Sequence, residues 1–295
     1  MKPILQNHTV PAYAKINLSL DILGTRPDGY HEVRMLMQSL TLHDTITLEV
    51  QPVPGVSLTC SEPSLPVDGR NLAYRAAALF LSAYAPSYGA VLHLEKKIPA
   101  AAGLAGGSSD AAAVLRGLNE MFSSPASDTA LAVLGLQLGA DVPYCLLLGT
   151  ALSEGIGERL TPLPAAPDCY CLLVKPAAGA STKQIYTGYD ALTETMEIPH
   201  PDTKGLLDAL SAGDYAGLAS RLCNVLEPVT VRLIPEIADL KETLYSLGAD
   251  GALMSGSGPT VFGLFSSEDT AKNAEAHFLR TSYAPRTFLT EFYRR

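Results

Sequence analysis

Residues 99–112 read Pro-Ala-Ala-Ala-Gly-Leu-Ala-Gly-Gly-Ser-Ser-Asp-Ala-Ala, a run in which almost no side chain is large enough to fill space. Small residues let backbone N–H groups come close to an anion, and a helix starting just afterwards adds the positive end of its dipole at the same point. Pro99, Ala100, Ala101, Ala102, Gly103, Leu104, Ala105, Gly106, Gly107, Ser108 and Ser109 therefore read as a phosphate cradle. Ser108 or Ser109 is expected to cap a helix running through Asp110, Ala111, Ala112, Ala113, Val114 and Leu115, since alanine has the highest helix propensity. The segment lacks the Lys of G-x-x-x-x-G-K-[ST], and no G-x-G-x-x-G follows a strand, so neither a Walker loop nor a dinucleotide fingerprint is present. On composition alone, a flexible loop before an Ala-rich helix stays open.

A chain of 295 residues exceeds a typical single domain, which favours two domains, expected at 1–162 and 163–295, with a ligand in the cleft between them. With 47% hydrophobic and 17% charged residues it has enough apolar material for packed cores. The formal charge is −9, and the 21 Lys and Arg residues are scattered, which argues against a nucleic-acid partner but leaves room for a small anion held locally. The five cysteines, at 60, 145, 169, 171 and 223, contain no C-x-x-C pair and fit reduced thiols in a cytoplasm, with Cys169 and Cys171 buried on one face of a strand. Residues 1–10 hold no stretch apolar enough for a signal peptide. The longest segment free of Asp, Glu, Lys and Arg, 76–94, is broken by the turn Pro86-Ser87-Tyr88-Gly89, so no membrane span is expected.

Ala14, Ile16, Leu18, Leu20 and Ile22 alternate with Lys15, Asn17, Ser19 and Asp21, the two-residue period of a half-buried strand with Lys15, Asn17 and Ser19 on its polar face. Turn residues fill 24–29, and strands are expected at 45–50, 90–95, 170–175, 249–254, 260–265 and 287–292. Asn71 is placed to cap a helix, Ser127 opens one ended by Gly139, several amphipathic helices fall in 202–248, and another spans 268–279. This mixture is α+β in both halves, without an internal repeat.

Taken singly, the polar candidates have ordinary readings. Lys15 would be a solvated surface lysine, Asp141 in Gly139-Ala140-Asp141-Val142-Pro143 a helix cap, and Tyr30-His31 a packing or surface pair. His31-Glu32 begins like H-E-x-x-H, but Met35 fills the last position, so a zinc site is unsupported. The remaining histidines are dispersed, and no G-x-S-x-G elbow is present.

Four segments change that balance. Residues 99–112 resemble the second motif of the GHMP kinases, and Ala14-Lys15-Ile16-Asn17-Leu18 with Gly29-Tyr30-His31 is similar to their first motif in the branch acting on cytidine diphosphate-linked methylerythritol. Residues 139–143 resemble the segment bearing the family's catalytic aspartate, and Ser255-Gly256-Ser257-Gly258-Pro259-Thr260-Val261-Phe262 its third motif. All four occur in family order. Ala105 stands where this family often has glycine, and Asp110 where it often has asparagine. The resemblance implies a two-domain GHMP kinase fold with the active site in the interdomain cleft, ATP phosphates on the 99–109 loop, and Mg²⁺ accompanying ATP. It implies that Lys15 is the cation near the transferred phosphoryl group and Asp141 the base or orienter of the acceptor hydroxyl, with Asn17, Tyr30 and His31 on the substrate. The implied reaction moves the γ-phosphoryl group of ATP to the 2-hydroxyl of 4-diphosphocytidyl-2-C-methyl-D-erythritol, in non-mevalonate isoprenoid precursor synthesis.

Overall fold

In a computed structural model, residues 2–295 are described, and Met1, the first residue of the segment expected to hold no leader, lies outside them. The described chain divides into two compact units: one of residues 2–14, 42–100 and 105–148, the other of 15–41, 101–104 and 149–295. Strands β1 (Asn7–Thr25) and β2 (His31–Gln51) each give one part to either unit.

In the first unit the sheet order is β3-β4-β2-β1, with β3 Gly55–Cys60 parallel to β4 Gly89–Glu95 and β4 antiparallel to β2. Between these strands lies α1 (Leu72–Tyr84), whose first turn is closed by Asn71 accepting from the Ala73 N–H. Helix α2 (Gly106–Met121) packs on α1 and comes so close to the sheet at Gly117 that a Cβ there would lie 2.5 Å from a Leu48 methyl and 2.7 Å from one of Val10. Only glycine admits that approach, and it fixes the helix that carries the end of the small-residue loop. The short helices α3 (Asp128–Leu136), capped by Ser127, and α4 (Val142–Leu147) complete the unit. Helix α3 ends at Leu136, short of the expected stop at Gly139.

In the second unit, β5 (Thr150–Gly155) pairs with residues 33–38 of β2, and β6 (Arg159–Pro162) with β5. A separate antiparallel sheet has the order β11-β7-β10-β9 and uses β7 Tyr170–Val174, β9 Gly251–Met254, β10 Val261–Phe265 and β11 Thr287–Glu291. Between β7 and β9 come α5 (Thr182–Thr193), α6 (Thr203–Ala212), α7 (Tyr215–Ala219), β8 (Cys223–Asn224), α8 (Glu227–Leu233) and α9 (Glu236–Ser246). Helix α10 (Glu268–Phe278) precedes β11 and, with α9, packs on this sheet. Phe262, Phe265 and Phe278 are fully buried in this unit, and each such ring contributes about 2 kcal/mol of hydrophobic stabilisation. Cys169 and Cys171 are buried, and no disulfide joins any of the five cysteines among the described residues. Among the described residues no helix is long and apolar enough to cross a membrane.

The architecture is α+β, and two local expectations need correction. Residues 14–22 of β1 are buried on both faces, not half-buried, because the strand's polar side chains are covered by backbone and side chains from distant segments. Helix α2 is capped by neither Ser108 nor Ser109. Its N-cap is Ala105, in the left-handed conformation with φ 56°, so the serines fall inside the first turn. Freed from capping, the Ser109 hydroxyl donates to the Tyr13 carbonyl at 2.5 Å.

Candidate active site

Burial of a lysine costs free energy unless its ammonium is satisfied. Lys15 is only 4% exposed, and its Nζ donates to Asn17 Oδ1 at 2.7 Å and to the Gly103 carbonyl at 3.1 Å. The two side chains meet because residues i and i+2 of a strand share a face. Gly103 arrives through the hydrogen bond from the Lys15 N–H to the Leu104 carbonyl, 3.1 Å. Ser255 completes the group: its hydroxyl donates to the Gly103 carbonyl at 3.0 Å and accepts from the Asn17 N–H at 3.3 Å. Three separate motifs of the second unit therefore meet at the Gly103 carbonyl, which accepts from both Lys15 and Ser255, and the ordinary reading of Lys15 as a solvated surface residue does not hold.

Asn224, which no sequence reading singled out, braces this arrangement. Its amide donates to the carbonyls of Met254 at 2.9 Å and Gly256 at 2.8 Å, on either side of Ser255. Its place in the two-residue strand β8, parallel to β1 at Ser19 and Leu20, carries too short a pattern to be seen in advance.

In the first unit, Asp141 occupies the N-cap position of α4, yet its carboxylate makes no capping hydrogen bond and Pro143 fills the first turn. The capping role is thus not exercised and the side chain is left for other work. The preceding Gly139 lies beside Ser108, whose hydroxyl oxygen would be 3.9 Å from a Cβ at Gly139. Asp44 anchors the approach to the loop, accepting from the N–H groups of Lys97 and Ile98 at 2.5 and 2.8 Å.

Lys96 Nζ bonds both Asp44 and Asp110, the latter at 2.7 Å, in a buried trio of two carboxylates and one ammonium. Burial alone would lower the Lys96 pKa, but the two facing carboxylates raise it above its ordinary value. Burial, against the Lys96 charge and assisted by Asp44, pushes Asp110 up to about 7. One Asp110 oxygen, Oδ1, has no partner among the described residues.

The remaining candidates lie at the β1–β2 turn. The Arg26 N–H donates to the Tyr30 carbonyl at 2.7 Å and Asp28 accepts from the Tyr30 N–H at 3.1 Å, closing the turn and leaving the Tyr30 ring 62% exposed. His31 opens β2 with its ring 5.0 Å from that of Tyr186 and its Nε2 2.7 Å from Asp190 Oδ1, both partners on α5. Sequence reading passed over α5, although Ser181 caps it and Ile185, Tyr189 and Leu192 recur at helical spacing on its buried face.

A small-residue loop entering a helix, a buried lysine on a strand and an aspartate that makes no capping bond suit the positioning and charge stabilisation that phosphoryl transfer requires. Family models agree: residues 71–149 match the GHMP kinases N terminal domain and residues 205–284 the GHMP kinases C terminal model. The chain belongs to the GHMP kinase family and is an ATP-dependent kinase of small molecules. Its relatives are more particular. It is 50% identical over 285 residues, 97% of each chain, to a 4-diphosphocytidyl-2-C-methyl-D-erythritol kinase of Lachnoclostridium phytofermentans. It is 48% identical to a kinase of the same name from a Geobacillus species, over 86% of this chain and 87% of the relative. A crystal structure of 4-(cytidine 5′-diphospho)-2C-methyl-D-erythritol kinase superposes with a TM-score of 0.81 at 35% identity, covering 98% of this chain and 100% of the other. A homoserine kinase from Cytophaga hutchinsonii shares the fold at a TM-score of 0.75 and 20% identity.

Proposed function

We propose that this kinase transfers the γ-phosphoryl group of ATP to the 2-hydroxyl of 4-diphosphocytidyl-2-C-methyl-D-erythritol, giving ADP and the 2-phosphate in non-mevalonate isoprenoid precursor synthesis. The observation that carries the reading is identity of 50%, extending over 97% of both chains, to a relative of that name. Phosphoryl transfer asks a protein mainly for in-line positioning and for stabilisation of charge. In this reading the N–H groups of the 99–109 loop hold the phosphates. Lys15, with its ammonium already oriented by Asn17 and Gly103, stabilises charge developing on the transferred group. Asp141, free of capping, accepts or orients the proton of the acceptor hydroxyl. The Tyr30-His31 pair contacts the substrate, with the exposed Tyr30 ring offered to the flat cytosine. Asn17, expected on the substrate, is fully buried with its amide held by Lys15 and Met35, and acts through Lys15.

Magnesium would accompany the nucleotide. Among the described residues no group of three or more His, Cys, Asp or Glu is gathered to hold an ion, a donor set that fits a cation carried largely on phosphate and water. Ser108 is the protein hydroxyl suited to it, since that of Ser109 is donated to Tyr13. The ion supplies neutralisation of phosphate charge. We place the reaction in the cytoplasm, where ATP is at hand and thiols persist without forming disulfides.

Stacking of a base on an aromatic side chain is worth about 1–3 kcal/mol, so Tyr30→Ala and His31→Ala should each raise the KM for the cytidine-linked substrate by roughly 5- to 150-fold. The KM for ATP should change little. Variants that leave the cytidine-substrate KM at the parent value would remove Tyr30 and His31 from the substrate site.

A further inference from the structure

A histidine with one ring nitrogen fixed by a carboxylate has its other nitrogen defined as well. His31 is such a residue. Its side chain is 11% exposed, Nε2 lies 2.7 Å from Asp190 Oδ1, and the Tyr186 ring, one turn earlier on the same helix, lies 5.0 Å away. Among the described residues Nδ1 has no partner. The Asp190 side chain is half exposed, but the helix that carries it, α5, is fastened along its length. Ser181 caps it, the Thr182 hydroxyl is 3.0 Å from that of Ser257, and Ile185, Tyr189 and Leu192 are buried.

A carboxylate only accepts, so in the neutral ring the proton sits on Nε2 and Nδ1 keeps its lone pair. An acceptor at that place has a definite preference among pyrimidines. Cytosine carries an exocyclic 4-amino donor where uracil carries a 4-oxo acceptor, and two facing acceptors leave both unpaired. We propose that Asp190 is a positioning residue for base selection: it holds His31 in the tautomer whose Nδ1 accepts from the 4-amino group of cytosine and rejects the 4-oxo group of uracil. The proposal rests on the reading that His31 faces the cytidine portion of the substrate. Asp190 itself touches no substrate and acts only through His31.

The test compares cytidine-linked and uridine-linked methylerythritol diphosphates as acceptors at saturating ATP, in the parent, Asp190→Ala and Asp190→Glu. The ¹⁵N spectrum of histidine-labelled protein reports the tautomer in the absence of any substrate. The parent should prefer the cytidine compound by tenfold or more in kcat/KM, with the proton of His31 on Nε2. Asp190→Ala should lose most of that preference through the cytidine KM, mix the two tautomers, and leave the KM for ATP unchanged. Asp190→Glu, with the carboxylate on a longer arm, should restore part of both signals. Full preference retained in Asp190→Ala, a proton on Nδ1 in the parent, or an equal loss for ATP and both acceptors would overturn the proposal. A parent enzyme that turns over neither nucleotide-linked acceptor would overturn the cytidine reading itself, whatever the ¹⁵N spectrum shows.

Discussion

Gly103→Ala adds one methyl group at the point where three motifs meet. The backbone there has φ +75°, and a Cβ would stand 2.2 Å from the Ser255 carbonyl oxygen and 3.2 Å from that of Gly258. Ordinary van der Waals contact begins at 3.4 Å, so backbone must separate from backbone by about 1 Å. That displacement breaks the hydrogen bonds that the Gly103 carbonyl accepts from Lys15 and Ser255. Left-handed backbone at alanine costs about 1 kcal/mol, a neutral hydrogen bond about 1 and one from an ammonium about 2, giving roughly 4 kcal/mol before relaxation. A fall in Tm of about 8–16 °C follows for a chain of this size. Because the Lys15 ammonium loses a partner and shifts, kcat should fall by roughly 10²-fold as well. Gly107→Ala is the control for stability: its Cβ would meet only a Leu72 methyl at 3.6 Å, and its Tm should stay near the parent value. Thermal denaturation and steady-state turnover of both variants decide the matter. Parent-like Tm and kcat in Gly103→Ala would refute the claim that this glycine locks the lysine in place.

Three further outcomes follow. Asp141→Asn keeps size and hydrogen bonding but removes the charge, so kcat should fall roughly 10²-fold or more with little change in nucleotide Kd, measured by stopped assay and calorimetry. Ala105→Gly relieves left-handed backbone at the α2 N-cap, and after the greater entropy of unfolded glycine should raise stability by up to about 1 kcal/mol, read as Tm. For Asp110, whose folded pKa of about 7 lies above the ordinary 3.8, the folded state binds more protons between those values, and stability is lost as pH rises through the window. Asp110→Asn should therefore stabilise the protein more at pH 8 than at pH 5 in denaturant titrations, and an equal effect at both pH values would contradict the assignment.

Much of the scaffold was legible in local pattern. Asn71 and Ser127 cap the helices they were expected to cap, and the period-two run from Ala14 to Ile22 is a strand. What local pattern could not give was the environment of the polar face. Alternation predicts that Lys15, Asn17 and Ser19 point the same way, but their burial depends on Gly103 and Ser255, 88 and 240 residues from Lys15 along the chain. The α2 cap failed for a related reason: the backbone turns left-handed at Ala105, a choice that composition makes available at four neighbouring small residues without selecting among them. Asn224 and Asp190 were invisible because each matters only through a partner distant in sequence, Gly256 for one and His31 for the other.

Substrate choice is the claim on which the rest of the account depends. Purified enzyme with ATP and an equimolar mixture of cytidine-linked methylerythritol, mevalonate and homoserine, followed by ³¹P NMR, reports which alcohol is phosphorylated and on which carbon. A new phosphomonoester on the 2-hydroxyl of the cytidine compound, formed with one ADP per product and with the other two alcohols unchanged, is the predicted result. Phosphorylation of mevalonate or homoserine in preference, or ATP binding without transfer to any of the three, would contradict it.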